Sequence, residues 1–166
     1  MRKDGLMATS ILDLLNVPRA LTLEFMATFA RFEFSLKKSG YARGDNSQVS
    51  PDWDVFANDM AKLDAAVLAP VLAATQYLQQ HPPKKQVLDN GLIRWVDRQG
   101  TSGSAIGDVL LSVRTVRNNV FHGGKFPDGM ITDPLRDEQL IRDCLHVLSE
   151  LLLLPLPRGV AENFKP

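Results

Sequence analysis

Apolar residues recur at three- and four-residue spacings along most of this chain, and prolines and glycines cut the runs into segments. A chain built that way must bury helix faces against one another. Sustained strand alternation is missing, so the pattern predicts an all-α fold, a single domain over residues 1–166 built as an up-and-down bundle of four to six helices. With 166 residues, of which 45% are hydrophobic and 23% charged, there is material for one core and not for two.

The expected elements follow from their punctuation. A short amphipathic turn is predicted around Ile11 to Leu15, and Pro18 suits the first turn of a long helix reaching about Lys38 before SGYARGDN. That helix is apolar on two sides, with Phe25, Phe29, Phe32 and Leu36 on one and Leu23, Met26, Ala30 and Phe34 roughly opposite. Ser50-Pro51-Asp52 reads as the capped start of a second helix ending near Lys62. A third pattern runs from Asp64 to Leu78 with a kink expected at Pro70, stopped by His81-Pro82-Pro83. Gln86 to Arg98 reads equally as a short helix or an irregular link. After QGTSGSAIG, with Ser102 or Ser104 as the cap, a helix continues to Phe121 and ends at His122-Gly123-Gly124. Thr132-Asp133-Pro134 opens a last helix to about Leu154, and Pro155 with Pro157 stops it before a loose tail. Its stripe of Leu145, Leu148, Leu151 and Leu152 is core, and Leu153 and Leu154 widen it toward a partner.

Nineteen basic and nineteen acidic residues cancel, so no global field gathers polyanions. Any contact with nucleic acid must be local. Residues 84–125 do carry a local excess of +4, with seven basic residues (Lys84, Lys85, Arg94, Arg98, Arg114, Arg117, Lys125) against Asp89, Asp97 and Asp108. Cys144 is the one cysteine, which rules out an internal disulfide and a dithiol motif, and the histidines form no metal-binding pattern. No apolar run reaches a membrane span, so the expectation is a cytoplasmic protein that holds no metal or cofactor and does not enter a membrane.

One residue breaks the amphipathic pattern. Taking about 100° per residue from Ile106, the stripe Val109, Leu110, Val113, Val116, Val120 and Phe121 faces the core, and Arg117 falls in its middle. A guanidinium there must meet a carboxylate, reach a wet interface or hold an anion. Arg114, Asn118 and His122 follow one another at four-residue steps and so share one helix edge.

The stretch Arg117-Asn118-Asn119-Val120-Phe121-His122 resembles the signature of the HEPN superfamily, an arginine followed after four to six residues by a histidine, often with a polar residue after the arginine. VRTVRNNVFHGGKF is similar to a bacterial branch of that group. The resemblance implies a HEPN-like helical bundle and a metal-independent endoribonuclease working as a homodimer, with both motifs in one cleft. The neighbouring 2′-hydroxyl of RNA would attack the phosphate, leaving a 2′,3′-cyclic phosphate. His122 would be the acid or base, since an imidazole ordinarily titrates at about 6.5. Arg117 would clamp the phosphate, Asn118 would orient phosphate or imidazole, Arg114 and Lys125 would add RNA contacts, and Glu33 would position the Arg117 guanidinium. Toxin, defence or RNA-processing work fits such a protein, beside an antitoxin or a nucleotidyltransferase. The alternative is a noncatalytic module that binds a nucleotide or such a partner.

Plainer roles stand beside these. Arg117 suits a buried ion pair with Glu33 or an acid of the last helix, and His122 suits a helix C-terminus. His81 and His146 read as structural, and GTSGSAIG as a helix cap.

Overall fold

The computed structural model describes residues 10, 13, 15–98, 101–122 and 133–165. Seven α-helices are present among them: α1 (Arg19–Lys38), α2 (Trp53–Met60), α3 (Ala65–Ala73), α4 (Gln76–Gln80), α5 (Ala105–Phe121), α6 (Pro134–Leu153) and α7 (Val160–Phe164). Two antiparallel hairpins interrupt them, β1 (Ala42–Gly44) with β2 (Val49–Pro51) and β3 (Lys85–Asp89) with β4 (Leu92–Val96). The all-α, up-and-down expectation is therefore wrong, and the fold mixes helices with two small sheets.

Local chemistry accounts for both hairpins. Between β1 and β2 the Asp45 carboxylate accepts from the Ser47 amide at 2.7 Å and from the Ser47 hydroxyl at 2.6 Å, closing a side-chain turn that sets Gly44 against Val49. Between β3 and β4 the turn is Asn90-Gly91, with φ of 50° and 79°, the left-handed pair that matches strand twist in a two-residue hairpin. It pairs Lys85 with Val96 and Leu88 with Ile93. The alternation was hard to see because Val87-Leu88 and Leu92-Ile93 place apolar residues side by side, and Leu88 and Ile93 stay 76% and 61% exposed. The segment from Gln86 to Arg98 is thus mostly strand, neither helix nor irregular link.

Helix starts were legible, with one shift. Asp52, and not Ser50, caps α2, its carboxylate accepting from the Val55 amide at 3.1 Å, while Ser50 and Pro51 close the preceding strand. Ser104 caps α5 by accepting from Gly107 at 3.1 Å, and Asp133 caps α6 by accepting from Arg136 at 3.0 Å, ahead of Pro134 at the first helical position. Pro70 sits within α3, and the chain breaks a turn later into the separate α4. The turn expected at Ile11 to Leu15 lies largely outside the described residues.

The core is one contiguous cluster around α1, α5 and α6. Phe25, Phe32 and Phe56 are fully buried, and Trp53 stacks on Phe29 and Phe32 at ring separations of 5.4 and 5.6 Å. On the other apolar side of α1, Leu23 and Phe34 stay 53% and 43% exposed while Met26 packs partly buried against the core. On α6, Leu148 and Leu151 are buried and Leu153 is exposed.

The end of the chain is not loose. It turns back through Pro157–Gly159, and α7 packs along α1. Nε of Arg31 donates to the Phe164 carbonyl at 2.7 Å, the Ser35 hydroxyl donates to the Val160 carbonyl, and Val160 is buried. Arg158 lies over the Tyr41 ring and donates to Asp59 at 3.2 Å. Burial, with a hydrogen bond to Asp59, pushes the Tyr41 phenol up to about 12, so it remains a donor to that carboxylate. The apolar Leu156 and Val160 explain this return, because leaving them in water would forfeit their burial.

Candidate functional site

Helix α5 carries the site, and its two flanks do different things. Ile106, Val109, Leu110, Val113, Val116 and Val120 are buried as the stripe predicts, but Phe121 is 62% exposed. The stripe outruns the core by one residue, and among the described residues that ring meets Arg117 and His122.

On the first flank Arg117 meets aromatic rings and, among the described residues, no acid. Its guanidinium carbon lies 5.4 Å from the centre of the Phe29 ring and 5.0 Å from that of Phe121. Nη1 donates to Oδ1 of Asn118 at 3.0 Å, while Nε is buried and has no hydrogen-bond partner among the described residues. Glu33 does not pair with it. Glu33 instead accepts from the Trp53 indole at 3.0 Å, so it holds the aromatic shelf on which Arg117 rests. The half-buried arginine is anomalous for a core stripe, and two ring faces with one neighbouring amide hold it here while its Nε goes unpaired among the described residues.

The second flank faces the β3–β4 hairpin across a groove of about 680 Å³. Arg114, Asn118 and His122 line one wall, as their four-residue spacing predicts. Lys85, Val87 and Val96 line the other. The hairpin is pinned to α5 at both ends of its base: Nδ2 of Asn119 donates to the Lys84 carbonyl at 2.9 Å, and Nη1 of Arg98 donates to the Asp108 carbonyl at 3.1 Å and the Ser112 hydroxyl at 3.3 Å. His122 is the C-cap of α5, exposed, with its ring edge-on to Phe121 at 5.3 Å. Phe121 thus touches both Arg117 and His122, and the two motif residues are gathered around one ring without sharing the groove wall.

Ion pairs decide how much of the local positive excess remains free. Asp97 takes Lys84 at 3.8 Å, Asp89 takes Arg94 at 2.8 Å and Asp108 takes Arg98 at 3.6 Å, using all three acids of the segment. Arg114 pairs with Asp54 of α2 at 3.0 Å. Lys85 and Arg117 have no ion-pair partner among the described residues, and Lys125 lies outside them. The charge at the groove is therefore focused on few groups. His81 packs on Tyr77 with ring centres 4.5 Å apart and His146 lies 3.4 Å from Glu150, both away from the groove lining.

The hairpin wall is what sequence reasoning missed. Its signal was Asn90-Gly91 between apolar pairs, which is a strong short-range mark of a two-residue hairpin. Among the described residues no single helix is long and apolar enough to cross a bilayer. Compared with family models, curated proteins and solved structures, the chain matches none.

Proposed function

We propose that this protein is a metal-independent endoribonuclease bearing a HEPN-type motif, with His122 as acid or base, Arg117 as the phosphate clamp and Asn118 linking the two. The observation that carries the reading is the end of α5: Asn118 and His122 share a groove wall, and Asn118 holds a guanidinium that has no acid to neutralise it among the described residues. Transfer to the 2′-oxygen needs one group to take the proton of the 2′-hydroxyl and another to give a proton to the departing 5′-oxygen. One chain supplies a single His122. The reading therefore includes a homodimer whose second copy brings the second imidazole, and a cytoplasmic setting in toxin, defence or RNA-processing work, with an antitoxin or nucleotidyltransferase as a candidate partner.

The bonds balance without a metal or a covalent enzyme intermediate. The 2′-oxygen–phosphorus bond forms, the phosphorus–5′-oxygen bond breaks, and a 2′,3′-cyclic phosphate and a 5′-hydroxyl result. Arg117 offsets charge on the nonbridging oxygens as the five-coordinate state forms. DNA lacks the nucleophile.

The test is cleavage of RNA by the full chain in the presence of a chelator, with both product ends identified. His122→Ala is expected to lower the rate by roughly 10²–10⁴-fold. Equal cleavage by that variant removes His122 from the mechanism, and intact RNA under all conditions rejects the nuclease. A second reading, a noncatalytic module binding a nucleotide or partner protein, is favoured by one observation: Arg117 rests on Phe29 and Phe121 and does not line the groove. Growth arrest on overexpression that His122→Ala relieves decides for the enzyme.

A further inference from the structure

We propose that the groove between the β3–β4 hairpin and α5 seats one unpaired nucleotide of the RNA, its base against Val87, Val96 and Leu111 and its phosphate toward Lys85, Asn118 and His122. The inference rests on the ribonuclease reading for its substrate and adds where, and by which residues, the strand is read.

Groove size is the first support. About 680 Å³ lies within the range of roughly 300–1,000 Å³ typical of sites for single small molecules, so it suits one nucleotide and not a double helix. The lining is the second. Val87 and Val96 lie on the hairpin face turned to α5 and oppose Leu111, which gives the apolar surfaces that the flat face of a base covers.

The third support separates polar groups already engaged from those still free. Arg98 is taken up by Asp108 and Ser112, Arg114 by Asp54, Nδ2 of Asn119 by Lys84 and the Thr115 hydroxyl by the Leu111 carbonyl at 2.8 Å. These groups build the groove. Nδ2 of Asn118, the His122 imidazole and the Lys85 ammonium also line it and make no side-chain hydrogen bond among the described residues, beside the Asp97 carboxylate, which pairs with Lys84 at 3.8 Å. Nδ2 of Asn118 is a donor for an oxygen of the base or phosphate, and the ammonium is a charge for phosphate. His122 stands in the same wall, so a nucleotide seated here places its own phosphate beside the proposed proton-transfer group.

Nucleoside 5′-monophosphates contain no internucleotide bond to cleave, so the unsubstituted protein can be titrated with AMP, GMP, CMP and UMP, with inorganic phosphate as reference, by calorimetry or amide chemical shifts. At least one mononucleotide is expected to bind tenfold or more tightly than phosphate. Val87→Trp, which fills the groove with a residue strands accept, is expected to weaken that binding at least tenfold. Lys85→Ala, which removes the unpaired charge of the strand wall, is expected to weaken binding of the mononucleotides at least threefold. Binding no tighter than phosphate, or binding unaffected by Val87→Trp, overturns the inference; if that variant does not fold, unchanged binding in Lys85→Ala does so. Cleavage of RNA without mononucleotide binding rejects the groove and leaves the nuclease. Mononucleotide binding without cleavage rejects the nuclease and leaves a nucleotide site.

Discussion

The two flanks of α5 contrast in how their polar and aromatic groups are used. Toward α1 and α2, rings stack on rings, the indole of Trp53 is satisfied by Glu33, and even the stray cation Arg117 is absorbed onto Phe29 and Phe121. Toward the hairpin, Lys85, His122 and Nδ2 of Asn118 face a groove with no hydrogen-bond partner among the described residues. Stability is concentrated on the first flank and binding capacity on the second, because a group already satisfied inside the fold gains little from a ligand.

The largest effect should come from the aromatic flank. Phe32 is fully buried between Trp53 and Phe56, so Phe32→Ala is expected to cost about 3–5 kcal/mol by denaturant unfolding. A loss below about 1 kcal/mol, no more than an ordinary substitution costs, would erase the contrast. On the other flank, Asn119→Ala leaves the Lys84 carbonyl without its donor and should cost about 1–3 kcal/mol. Hydrogen exchange should quicken in β3 and β4 more than in α1, which would show that the hairpin opens as a local unit. The smallest change in stability is expected at the boundary. Arg117→Met gives up two ring contacts but also removes a buried Nε that has no partner, so thermal unfolding should place the variant within about 1 kcal/mol of the parent. RNA cleavage by the same variant should fall about 10²–10³-fold if the guanidinium serves the phosphate. A large loss of stability with cleavage retained would assign Arg117 to the aromatic flank alone.

Much of the helical frame could be read locally. Asp133 caps α6 and Ser104 caps α5, and each acts on an amide three residues away, within reach of any sequence pattern. The edge Arg114, Asn118 and His122 was legible for the same reason, since helix geometry alone aligns residues four apart. Asn90-Gly91 was equally local, but the neighbouring apolar pairs obscured the alternation that would have revealed β3 and β4. The ordered tail was hidden by its prolines, which announce the end of a helix and say nothing about where the chain goes next.

Sequence by itself determined where α5 and α6 begin, all of the buried stripe of α5 except its last residue, and that Arg117 violates it. Only the tertiary structure decided what Arg117 meets and what closes the groove opposite His122. Glu33 was a reasonable partner by charge, yet the indole of Trp53 claimed it, and the second wall came from a hairpin pinned by Asn119 to Lys84, 35 residues earlier in the chain. Caps and helix edges are set by bonds spanning three or four residues, whereas a cation's partner and a cavity's far wall depend on which distant elements pack together, and local spacing carries no record of that choice.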